Sequence, residues 1–93
     1  MILYISDFDL RGSGYSNIAI PLCQHLTRAG YEVLAIGFGY QGQEHPHPFA
    51  ITQLHGLEHI APMIRNIRQT KEIEAIIVAL DIPLQTNILQ QLN

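Results

Sequence analysis

The 93-residue sequence predicts a doubly wound α/β fold built on a mostly parallel, Rossmann-like sheet. Three observations carry that prediction. Short, nearly continuous apolar runs alternate with segments of helical spacing, as buried parallel strands and their crossover helices do. The runs are too short for helices and lack the polar alternation of a half-exposed sheet. The composition is 47% hydrophobic and only 14% charged, against a usual ~25% charged, which excludes a disordered chain.

The elements follow in order. Ile2 to Ile5 is an apolar run closed by Ser6-Asp7 and reads as a first strand buried on both faces. Tyr15 to Ala29 places Ile18, Leu22, Leu26 and Ala29 at helical spacing, and Gly30 follows as a helix-terminating glycine would. Val33 to Ile36 is the second strand, released into a loop by Gly37-Phe38-Gly39, and Gln41 to Pro48 is irregular. Phe49 to Leu54 is a weaker, partly alternating third strand.

Leu57, Ile60, Ala61, Ile64 and Ile67 form the stripe of a second helix. Its Arg65, Arg68 and Lys71 collect where they complement the negative end of the helix dipole, and they read as a solvated face. Pro62 requires that this helix start later than Leu57 or kink, and Pro21 poses the same question in the first helix. Ala75 to Leu80 is the most strand-like run, closed by Asp81-Ile82-Pro83, and Leu84 to Leu92 has the spacing of a final helix.

Right-handed crossovers then give strand order 3-2-1-4. The connections diverge between the first and fourth strands, and open α/β sheets bind ligands at such a point, outside the strands' carboxyl ends. The residues delivered there are Ser6 to Tyr15 and Asp81 to Pro83. The fourth strand becomes an edge although it carries no charge or proline to guard it. It is expected to pair with a second chain or to be covered by the Leu84–Leu92 helix, a homodimer being the favoured outcome.

Other classes are excluded by composition. A formal charge of -3 with no basic block argues against nucleic acid as a partner. No stretch approaches the ~18 apolar residues of a membrane span, and the start of the chain lacks an export leader. Cys23 alone makes no internal disulfide, and a cytoplasmic location is expected. Cys23 reads as a small core residue and His25 as exposed, with no nucleophilic triad and no catalytic residue assigned. His45, His47, His55 and His59 lack a cysteine or carboxylate to complete a metal site, and no metal or cofactor is expected.

The segment from Asp7 to Asn17 is the one that could carry chemistry. It joins a strand to a helix start, where backbone N–H groups are free and the dipole favours an anion. Gly12 and Gly14 lack Cβ atoms and would let a phosphate reach the backbone, with Ser13 and Ser16 adding hydroxyls. The competing reading is a tight turn followed by a serine cap. A dinucleotide fingerprint is excluded, because Asn17 stands at the third glycine and no acidic residue closes the second strand. No P-loop occurs, and Asp7 with Asp9 only partly matches a phospho-receiver pocket.

Met1 to Gly39 as a whole resembles the start of a glycosyltransferase of the GT-B fold, close to the large retaining family 4. The shared features are a strand ending in Ser6-Asp7, the glycine-bearing loop, Asn17 to Leu22 entering the first helix, and Leu26-Thr27-Arg28-Ala29-Gly30-Tyr31-Glu32-Val33. Ile73 to Val78 is similar to a later strand of that family, and proline is frequent there at the position of Pro21. The resemblance implies a nucleotide-sugar donor and an acceptor hydroxyl as substrates, with the Gly12–Gly14 loop against the donor phosphates. It implies that residues 1–93 are a partial amino-terminal, acceptor-side domain, truncated and inactive alone. The candidate substrate-binding residues are Asp9, Gly12, Ser13, Gly14, Tyr15 and Asp81. The alternative is a non-enzymatic flavodoxin-like or receiver-like interaction module.

Overall fold

A computed structural model describes residues 1–8, 16–42, 44–80 and 82–92. The elements are β1 (Ile2–Asp7), α1 (Ser16–Arg28), β2 (Val33–Phe38), β3 (Ala50–Gln53), a 3-10 turn (Leu57–His59), α2 (Ile60–Arg68), β4 (Ala75–Ala79) and α3 (Ile82–Leu92). The strands form one parallel sheet in the order β3-β2-β1-β4. This is the α/β, doubly wound arrangement predicted, and it is Rossmann-like.

Strand alternation sends the apolar side chains to two cores. Leu3, Ile5 and Ile36 face Ile60 and Ile64 of α2 and Ile88 of α3. Tyr4, Val33 and Ala35 face Ala19 and Cys23 of α1, with Tyr40 and Phe49 from the β2–β3 connection. The central strand β1 is buried from Ile2 to Ser6, which accounts for its unbroken apolar run. Each fully buried leucine or isoleucine contributes roughly 1.5–3 kcal/mol.

The helix boundaries explain the prolines and glycines. Gly30 has φ +99°, and Tyr31 N–H donates to the Leu26 carbonyl at 3.1 Å, which satisfies the end of α1. Pro62 is the third residue of α2, inside its first turn, where its missing N–H has no helical acceptor to lose. The second helix therefore starts later than Leu57 and is entered through one 3-10 turn. Pro21 lies inside α1 with its ring on the exposed side, and the helix runs through it.

Several boundaries differ from the expectation: β1 runs on through Ser6 and Asp7, β3 is confined to Ala50–Gln53, and β4 ends at Ala79. β2 continues through Gly37 and Phe38, because β1 is long enough to pair with both, Ser6 opposite Gly37 and Asp7 opposite Phe38. α3 begins at Ile82, two residues early, since Pro83 is tolerated in a first turn. It packs on the same face as α2, against β4 and α2, and among the described residues no strand lies beyond β4.

Candidate functional site at the carboxyl ends of β1 and β4

The sheet order makes β1 the strand from which the chain diverges, toward β2 by way of α1 and away from it to β4. Ser6 is fully buried at this point, and its hydroxyl donates to the Ala79 carbonyl at 2.7 Å. The bond ties the last turn of β1 to the last residue of β4, so the two strand ends form one rigid wall. A buried hydroxyl needs such a partner, and the carbonyl at a strand end is free to accept it. Asp7 follows, half-buried, as the last residue of β1.

Phe8 fixes where the chain leaves the sheet. Its N–H donates to the Phe38 carbonyl at 2.8 Å, extending the pairing with β2 by one residue. Its ring meets Tyr4 edge-on, with centroids 6.1 Å apart at 81°. The side chain lies over Gly37, where an added Cβ would stand 2.8 Å from the Phe8 Cβ. Gly37 is thus glycine because Phe8 occupies its side-chain space, a reason that the sequence did not reveal.

Asp9, Gly12, Ser13, Gly14 and Tyr15 lie outside the described residues, as does Asp81. What the structure gives is their anchors: Phe8 and the start of α1 on one side, Leu80 and Ile82 on the other. Leu80 is buried in the core under α3, while Ile82 is exposed. The first turn of α1, from Ser16, carries no acidic side chain.

The remaining sequence candidates are placed plainly. Cys23 is buried against Tyr4, and burial pushes its thiol up to about 12, so it stays protonated and is no nucleophile. Burial and the neighbouring Cys23 also raise the Tyr4 phenol. His25 is exposed on α1. Among the described residues no three histidine, cysteine or acidic side chains come together to hold a metal. Among the same residues no helix is long and apolar enough to cross a membrane.

One arrangement was missed. His45 and His47 stack at 5.2 Å, and His47 stacks on Phe49 at 5.5 Å and 10°. Tyr40 closes the cluster edge-on to His45 at 6.2 Å. His47 Nδ1 lies 3.2 Å from the Gln24 amide nitrogen, which fastens the β2–β3 connection to α1. The signal was present as His45-Pro46-His47-Pro48-Phe49, whose alternation puts the rings on one side of an extended segment. Separately, an open groove of about 590 Å³ lies between the 3-10 turn and α3, lined by Leu57, Glu58, Asn87, Gln90 and Gln91.

Comparison with family models, curated proteins and solved structures gave no match. Fold and strand order therefore define the class, a Rossmann-like parallel α/β sheet with its divergence point at β1 and β4.

Proposed function

We propose that the chain is the amino-terminal, acceptor-side part of a glycosyltransferase that moves a sugar from a nucleotide-sugar donor to an acceptor hydroxyl. The observation that carries the reading is the Ser6–Ala79 bond, which joins the ends of β1 and β4 at the sheet's divergence point. The glycine-bearing segment follows directly from that point, and ligands of open α/β sheets bind there. In this reading Gly12 and Gly14 admit the donor phosphates to backbone N–H groups, and Ser13 and Ser16 add hydroxyls, with Tyr15 in the same segment. Asp9 accepts hydrogen bonds from sugar or acceptor hydroxyls, and Asp81 lines the β4 side. Carboxylates repel a phosphate at short range, so backbone N–H groups and hydroxyls meet the anion and Asp9 does not.

The β3-β2-β1-β4 order supports this reading over the flavodoxin-like or receiver-like module, whose sheets follow a 2-1-3-4-5 order. In this reading the donor-side half is a separate domain, and residues 1–93 by themselves are expected not to turn over a nucleotide sugar. The test is NMR titration of the isotopically labelled chain with UDP-glucose and GDP-mannose. Shifts confined to the amides of residues 7–17 and 79–82, without sugar release, are expected. Unchanged amides there at millimolar ligand, or turnover by the chain itself, would overturn the proposal.

A further inference from the structure

The described residues expose five large apolar side chains, and four of them lie toward one side of the molecule. On α3, Asn87 and Gln91 line the groove against the 3-10 turn that leads into α2. At 3.6 residues per turn, Ile82 and Leu89 fall on the opposite flank, beyond β4, where they are 81% and 45% exposed. On α1, Gln24 reaches the β2–β3 connection through His47. Ile18 and Leu22 fall on the other flank, toward β4, and are 67% and 37% exposed. Between the two flanks runs β4, exposed at Ala75 and only half-buried from Ile76 to Ala79, with no strand beyond it among the described residues.

We propose that this side is a self-association surface. β4 pairs antiparallel with β4 of a second copy about a twofold axis at Ile77, joining two sheets into one of eight strands. The occupant is a second copy because the strand is complementary to itself. Across an axis at Ile77, Ala75 faces Ala79, Ile76 faces Val78 and Ile77 faces its own equivalent, all apolar. Glu74 faces Leu80 rather than a like charge, and its carboxylate is held by its own chain's Met1 ammonium at 3.4 Å. A perpendicular twofold keeps both α3 helices on one face, where Ile82 and Leu89 of each copy approach the other's. Pairing β4 with another copy's β3 would instead be head-to-tail and would not close. β3 is also only four residues long and carries Thr52 and Gln53. The inference concerns residues 1–93 by themselves; in the glycosyltransferase reading a further strand of the larger domain would pair along the same edge.

Two substitutions test the register. Directly opposed residues of an antiparallel pair have Cα atoms ~4.5–5.5 Å apart, within the reach of a disulfide. Ile77→Cys should therefore cross-link two copies under oxidised glutathione. Ala75→Cys should not, because the two copies of position 75 lie roughly 14 Å apart at ~3.4 Å per residue. Cys23, buried and protonated, takes no part in either. Sedimentation velocity from micromolar to millimolar protein should show a monomer–dimer equilibrium. Ile77→Lys should abolish it, and mixing that variant with Ile77→Glu should restore it. A wild-type monomer throughout, equal cross-linking at both positions, or an Ile77→Lys dimer would each overturn the proposal. Dimers of the wild type that show no cross-link through position 77 would place the contact elsewhere and would also overturn it.

Discussion

Among the described residues β3 and β4 each have one side with no neighbouring strand, but β3 is four residues with Thr52 and Gln53 among them, while β4 is five residues without a polar side chain. The connection leading into β3 stacks Tyr40, His45, His47 and Phe49 over the α1 face, where Ile51 packs. On the β4 side the flanking helices present Ile18, Leu22, Ile82 and Leu89 to the outside. Natural sheets blunt an edge by shortness, polarity or a covering loop, and only β3 has these devices. One edge is therefore finished and the other is built to be joined.

The largest expected effect comes from the helix that supports the open side. Ile88 is the one buried side chain among the described residues of α3. Ile88→Ala should cost about 2–5 kcal/mol through the lost contacts and the cavity left behind. At roughly 4–8 °C per kcal/mol for a domain of this size, thermal unfolding by circular dichroism should show a fall of roughly eight degrees or more. Ile51→Ala, half-buried on the finished edge, should cost clearly less. Equal losses would break the comparison.

Gly37→Ala comes next. The new Cβ would press on Phe8 at 2.8 Å, and Phe8 is fully buried with a backbone bond to Phe38, so it cannot move cheaply. A loss of about 1–3 kcal/mol is expected from overpacking, read as a lower urea midpoint. Ser6→Ala should cost about 1 kcal/mol, because the Ala79 carbonyl loses its donor. That variant should also loosen β4 from β1 at their carboxyl ends, visible as faster amide exchange at Ala79.

The smallest effect is a pH dependence on the finished side. Burial and the neighbouring His45 lower the His47 pKa, so the folded chain disfavours the charged imidazole. The unfolded chain binds the proton more readily, so stability is complete above the ordinary value of about 6.5 and falls as the pH drops through the lower folded value. The melting temperature should therefore decline from neutral pH to about pH 5, and His47→Gln should decline less steeply. Equal slopes for the two proteins would show that the stack does not resist protonation.

Much of this architecture could be read from the residues alone. Unbroken apolar runs give parallel strands, and Gly30 after a helical stripe gives the left-handed end that α1 has. The order 3-2-1-4 follows from crossover handedness. Read locally, Gly37 and Phe38 belong to a loop, because nothing in the segment shows that Phe8 packs across to them. The alternation of His45, His47 and Phe49 signals rings on one side, but spacing alone does not separate stacked rings from metal ligands. For the candidate site, its location at the ends of β1 and β4 was readable from topology, and the Ser6–Ala79 bond was not. Asp9, Gly12, Ser13, Gly14, Tyr15 and Asp81 rest on sequence reasoning, because they lie outside the described residues.

The contrast between the two edges is tested most directly by residue-resolved amide hydrogen exchange at several protein concentrations. The β4 amides not bonded to β1 should exchange rapidly in dilute protein and become protected as the concentration rises. The amides of Ala50 to Gln53 that are not bonded to β2 should exchange at the same rate throughout. Protection of β4 that is already complete in dilute protein, or that never changes with concentration, would contradict an open edge completed by a second copy.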